Sequence, residues 1–139
     1  MIPKQEYADK HGRVVVLVID DNPMVREIGA RMLEFLGLET LEAEDGVEAV
    51  EVFRKHHGKI CYILCDLTMP RMDGWETLAA LRRIDPGIPA ILASGYDPVQ
   101  AQGGTDNPER FQAFLSKPYQ MADLQDALGK CRQRSVLDS

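Results

Sequence analysis

Nothing in the 139 residues is apolar for long enough to cross a bilayer. The strongest run, Val14–Ile19, covers six residues where a spanning helix needs about 20. Residues 1–12 carry charges and have no apolar core, so no signal peptide is expected there. There are only three cysteines, irregularly spaced, which excludes a disulfide framework and points to a reducing, cytoplasmic compartment. There is no basic surplus either. With 16 basic residues against 22 acidic ones the net charge is −6, which argues against nonspecific nucleic-acid binding. Such a length fits one domain with a core that needs no staple.

What is present is an alternation. Residues 13–19 (RVVVLVI) form a continuous β-branched run, the pattern of a parallel strand buried on both faces. Asn22-Pro23 then offers a cap and a first-turn proline, and Val25, Ile28, Met32, Phe35 and Leu36 recur at helical spacing up to Gly37. A short strand is expected over 38–43. A helix capped by Asp45, with Glu48 three residues on, follows to His56-His57-Gly58. The second six-residue apolar run, Ile60–Cys65, ends abruptly at Asp66. Asp73 caps another helix, with Glu76 at its third position and Trp75, Leu78, Leu81 and Ile84 as its inner stripe. Strands are expected over 88–93 and 111–116, and a last helix over about 120–132 with Met121, Leu124, Leu128 and Cys131 inward. The stretch 99–110, with Gly103-Gly104 and Asn107-Pro108, supports at best one or two helical turns. The division is a lead-in over 1–12, a folded unit over 13–132 and a tail over 133–139.

Five strands alternating with helices predict an α/β (βα)5 fold, a five-stranded parallel sheet covered on both faces. The doubly wound order for five strands is 2-1-3-4-5, with the ligand site beyond the C-terminal strand ends between strands 1 and 3. The polar residues fall on that edge. Strand 1 runs into Asp20-Asp21, strand 3 into Asp66, strand 4 into Ser94 and strand 5 into Lys117. Three carboxylates close together repel unless a cation neutralises them, and oxygen donors with waters suit Mg²⁺. A metal on two carboxylates, an ammonium from Lys117 and a hydroxyl from Ser94 around one acid make a phosphoryl site, with Asp66 as nucleophile.

The set Asp20-Asp21, Asp66 with Met69-Pro70 and Met72-Asp73-Gly74, Ser94-Gly95 and Lys117-Pro118 resembles the receiver domain of two-component response regulators. The resemblance covers about residues 13–132 and implies a flavodoxin-like fold. It implies that Asp66 is phosphorylated by a phosphohistidine donor, either a sensor histidine kinase or a histidine phosphotransfer domain. It also implies Mg²⁺ bound by Asp21, Asp66 and the main-chain carbonyl of Thr68, with Asp20 acting through a water. Lys117 would pair with the phosphoryl group, Ser94 would turn to bond it, and Phe114 would be the switch aromatic. The Lys117–Pro118 bond would be cis. Such a domain is no enzyme beyond its own phosphorylation and autodephosphorylation.

The chain departs from that pattern at two places. Phe114 stands where tyrosine is commoner, so a hydroxyl contact is lost while a packing switch remains. The weak 99–110 stretch and the Ser94-Gly95-Tyr96 turn look like receivers attached to hybrid kinases. No residues are left over for a DNA-binding effector, so a stand-alone receiver or part of a larger kinase is expected. Tyr96 is a candidate gate for water at Asp66. A Mg²⁺-dependent phosphohydrolase would resemble Asp-x-Asp, but Thr68 occupies the second position. A pseudo-receiver scaffold would have no need of mutually repelling acids. Cys61 and Cys65 read as small core residues, and Glu39, Glu42 and Glu44 as a solvated edge.

Overall fold

The computed structural model of the chain describes residues 14–95 and 111–138, with side chains up to Cys131. The expectations for 1–12, for Tyr96 and for the weak helix at 99–110 lie outside the described residues. The elements are β1 (Val15–Ile19), α1 (Pro23–Phe35), β2 (Glu39–Ala43), α2 (Gly46–His56), β3 (Ile60–Asp66), α3 (Gly74–Ile84), β4 (Ala90–Ser94), β5 (Ala113–Ser116) and α4 (Met121–Asp138). The sheet has five strands, all parallel, in the order β2-β1-β3-β4-β5. This is the flavodoxin-like doubly wound arrangement that the alternation predicts.

Both faces of the sheet are covered, which is why β1 and β3 are apolar throughout rather than alternating. Val15, Leu17 and Ile19 join Phe53 of α2 and Leu78 and Leu81 of α3 in one core. Val14, Val16 and Val18 join Leu33 of α1 and Leu124, Leu128 and Cys131 of α4 in the other. So α1 and α4 lie on one face, α2 and α3 on the opposite face.

The helix starts follow from their caps. The Asn22 side chain accepts from the Met24 and Val25 amides, and Asp45 accepts from the Glu48 amide at 2.8 Å. Asp73 and Glu76 form a reciprocal capping box, whereas Glu48 reaches back to the Glu44 amide instead of that of Asp45. Gly37, with φ of 90°, takes the left-handed turn that releases the chain from α1.

Two features of the helices go beyond the sequence pattern. The buried residues of α1 are Gly29, Ala30 and Leu33, while Ile28 is 54% exposed and Phe35 81% exposed. The small residues form the face that presses on the sheet, and a Cβ on Gly29 would come within 2.7 Å of the Tyr119 hydroxyl. Leu33 is fully buried beside them, Met32 and Leu36 pack half-buried against the same core, and of the periodic positions only Ile28 and Phe35 are turned outward. The last helix also runs past Arg132 to Asp138, through the stretch read as tail.

Candidate functional site at the C-terminal sheet edge

Register brings the acids together. Ile19 pairs with Cys65 across β1 and β3, so Asp20 lies in line with Asp66, the last residue of β3. Asp66 in turn pairs with Ala93, one residue before Ser94, and Ser94 pairs with Ser116, one residue before Lys117. The reversal of winding between β1 and β3 opens a crevice at this edge, since α1 after β1 and α3 after β3 leave to opposite faces.

Lys117 closes the crevice from the β5 side. Its Nζ donates to Asp20 Oδ2 at 2.9 Å and to Asp66 Oδ1 at 2.8 Å. The Lys117 amide donates to the Ser94 carbonyl at 2.8 Å, and the Lys117–Pro118 bond is cis. Asp20, Asp66 and Ser94 are buried, whereas Asp21 is exposed at the mouth. Carboxylate oxygens of Asp20, Asp21 and Asp66 all lie within 4.8 Å of one another. Thr68 is exposed on the loop after β3, and Phe114 is half-buried on β5, its ring tilted on that of Phe111 with centroids 6.3 Å apart.

Electrostatics follows from one ammonium serving three carboxylates. Burial pushes the Asp66 carboxyl above the usual range, and the charges of Asp20 and Asp21 add to that, against the Lys117 hydrogen bond. For Lys117 burial works against the ammonium, but its bonds to Asp66 and Asp20 outweigh it and hold the group above its ordinary value. Burial pushes the Tyr119 hydroxyl up, with the charge of Asp20 acting in the same sense. The donor set is therefore short of positive charge and made of hard oxygens. It fits a small divalent cation.

Several supporting residues escaped the sequence reading. Arg26, from the first turn of α1, donates to the Asp20 carbonyl at 2.8 Å and to Glu42 Oε1 at 3.1 Å, so Glu42 is more than a solvated edge. The Asn22 amide donates to Asp20 Oδ1 at 2.9 Å. Gly74 lets α3 begin against the strand end. A Cβ there would meet the Asp66 carbonyl oxygen at 2.8 Å, and its own amide donates to the Leu67 carbonyl at 2.8 Å. Only Asp-Gly at 73–74 carried any sequence signal of this.

A sequence profile of the response regulator receiver domain matches residues 16–129. The chain belongs to the response regulator receiver domain family. It is 33% identical over 120 residues to the sensor kinase CckA of Brucella abortus, covering 86% of this chain and 13% of that protein. It is 37% identical over 78 residues to the sensor histidine kinase RcsC of Escherichia coli, covering 56% of this chain and 8% of that one. The receiver thus spans a small fraction of these curated relatives. Among solved structures, the receiver domain of the hybrid histidine kinase CckA matches with a TM-score of 0.69 and 30% identity, over 86% of this chain and 99% of that one. A receiver domain protein from Clostridium thermocellum matches with a TM-score of 0.78 at 24% identity, over 91% and 99%. The family is one of two-component signalling domains. Among the described residues no helix is long and apolar enough to cross a membrane.

Proposed function

We propose that this receiver accepts a phosphoryl group on Asp66 from the phosphohistidine of a sensor histidine kinase or a histidine phosphotransfer domain, in the presence of Mg²⁺. The observation that carries the reading is Lys117, whose ammonium bonds Asp66 and Asp20 together while Asp21 stands within 4.8 Å at the mouth. Mg²⁺ would be held by Asp21, Asp66 and the Thr68 carbonyl, with Asp20 through a water. Bound there, it supplies charge neutralisation to the transferring group.

The residues divide the work. Lys117 engages Oδ1 of Asp66, so Oδ2 is the oxygen aimed at the donor. The O–P bond forms to that oxygen as the N–P bond of phosphohistidine breaks, and the imidazole leaves with the electron pair. Lys117 then neutralises a phosphoryl oxygen, and Ser94 offers its hydroxyl to another. Ser94 drawn inward vacates space beside β5, into which Phe114 turns; that packing change is the signal. Asp66 reacts as the carboxylate, so its raised pKa makes acceptance fall off in acid earlier than for an ordinary aspartate.

A docking place for the donor lies next to the acid. Val25, Ile28, Lys117, Pro118 and Tyr119 line a groove of about 250 Å³ whose lining is almost wholly apolar. Met24 and Ile28 stand exposed on the adjoining helix face. A donor that must bring an imidazole to Asp66 and carries it on a helix would lay that helix here, with Lys117 shared between groove and site. The setting is a cytoplasmic phosphorelay, as a stand-alone receiver or within a hybrid kinase, with no enzymatic turnover beyond self-phosphorylation and autodephosphorylation.

Incubation with acetyl phosphate and Mg²⁺ should add about 80 Da to the intact mass, as one phosphoryl group on a carboxylate does. EDTA should abolish the adduct, and so should Asp66→Asn. An adduct that survives Asp66→Asn would sink the assignment.

A further inference from the structure

The loop between β3 and α3 carries Thr68 but has little backbone structure of its own. Its ends meet where the Gly74 amide donates to the Leu67 carbonyl, and a tight turn is closed by the Met72 amide on the Pro70 carbonyl at 2.8 Å. At its tip Arg71 holds φ of 72°, the one positive φ on a non-glycine residue among those described. That conformation is unfavourable for a side chain with a Cβ, and it persists only where something holds it. The holder is Asp45: the Arg71 guanidinium donates to Asp45 Oδ2.

Asp45 is no ordinary surface partner. Its side chain is 7% exposed, and its other oxygen caps α2 by accepting from the Glu48 amide. The α2 start is itself wedged against the loop. A Cβ on Gly46 would fall 2.4 Å from Thr77 Oγ1 and 2.8 Å from Met72 Cβ. Arg71 thus ties the loop tip to the start of α2. With an arginine that is 64% exposed the tie adds little to global stability, and glycine or asparagine would suit the backbone better. What the tie does hold is the tip of the loop that carries Thr68.

We infer that Arg71 and Asp45 form a clasp that positions the β3–α3 loop for cation binding, as positioning residues outside the ligand set. The inference rests on the proposed Mg²⁺ site. A carbonyl aimed by its own strained loop must be ordered at the moment of binding, and the clasp removes that cost beforehand. Losing it weakens cation affinity without removing a ligand.

The test is calorimetric titration of the full chain with MgCl₂, for wild type, Arg71→Gly, Asp45→Asn and the double variant. Arg71→Gly accepts the left-handed backbone without the guanidinium, and Asp45→Asn keeps the cap on Glu48 while losing the charge. Each single variant should raise the Mg²⁺ Kd about tenfold, with melting temperatures in EDTA close to wild type. The double variant should be no worse than the weaker single one, because both remove the same tie. Wild-type affinity in Arg71→Gly, or fully additive losses in the double variant, would overturn the clasp while leaving the site standing. A wild-type chain that binds no Mg²⁺ would overturn the site and the clasp together.

Discussion

Replacing Asp66 with asparagine should make the metal-free protein more stable. Asp66 faces one cation and two anions. With Lys117 Nζ at 2.8 Å, attraction is about 6 kcal/mol at an effective dielectric near 20. Asp20 and Asp21, with oxygens within 4.8 Å, repel it by about 3.5 kcal/mol each on the same scale. Repulsion exceeds attraction by about 1 kcal/mol, and burial opposes the ionised form as well. Asparagine has the same shape, and its oxygen still accepts from Lys117. The expected gain is about 1–2 kcal/mol, or roughly 4 °C in melting temperature per kcal/mol for a domain of this size.

The pH dependence has a definite sign. Because the folded pKa of Asp66 is raised, ionisation costs folding free energy. The wild-type chain pays nothing for Asp66 below the unfolded pKa and loses stability as pH rises through the higher folded one. The advantage of the asparagine variant is therefore absent in acid and complete above that window. Added Mg²⁺ should reverse the ranking, since a ligand at a hundred times its Kd stabilises by about 2.7 kcal/mol, more than the variant's advantage, and the variant lacks one of the proposed ligands. Urea titrations of both proteins in EDTA from pH 4 to 8, repeated with Mg²⁺, measure all of this. An asparagine variant less stable than wild type in EDTA at pH 8, or an advantage that does not change with pH, would refute the charge balance.

Lys117→Met should cost about 2 kcal/mol, because Asp20 and Asp66 lose the cation they share; chemical denaturation at pH 7 checks it, and an unchanged midpoint argues against the bridge. The raised pKa of Lys117 means that its stabilisation is complete below the unfolded lysine value and is lost as pH rises through the folded one, so the alkaline limb should flatten in the same variant. Ile28→Glu, at a position 54% exposed, should leave melting and acetyl phosphate uptake unchanged yet slow transfer from a phosphohistidine protein at least about tenfold; equal transfer rates would remove α1 from the docking surface. Gly74→Ala should destabilise by about 2–3 kcal/mol, since its Cβ meets main chain of Asp66 and Leu67 at 2.8 and 3.0 Å; a loss below 0.5 kcal/mol would show that the α3 start can shift.

The sheet was legible because its physics is local. β-Branched runs buried on both faces leave no alternation to confuse them, and an acid at the end of such a run marks the edge where the chain returns to water. Once five strands are counted, the strand order puts 20, 66, 94 and 117 on one edge, and the register between β1, β3, β4 and β5 does the rest. The support around the acids was not legible. Arg26 reaches the Asp20 carbonyl, and Arg71 reaches Asp45 across 26 positions, through geometry that no spacing announces. An arginine beside a loop reads as a solvated charge, and its backbone angle, the one feature that marks Arg71 out, has no trace in composition.

The first helix shows why a periodic pattern can name the wrong face. Val25, Ile28, Met32, Phe35 and Leu36 satisfy helical spacing, and size makes them the natural choice for a core. Yet where the helix passes Tyr119 there is no room for a side chain at Gly29, and Gly29 and Ala30 allow the close approach that the buried Leu33 completes. Hydrophobic matching rewards bulk, whereas close packing rewards fit. With Gly29, Ala30 and Leu33 on the inner face, the bulky stripe is left partly outside, and two of its members, Val25 and Ile28, line the groove beside Lys117. An apolar surface kept in water at the mouth of a charged site has no role in folding. It has one if a second protein must be held there while its imidazole meets Asp66.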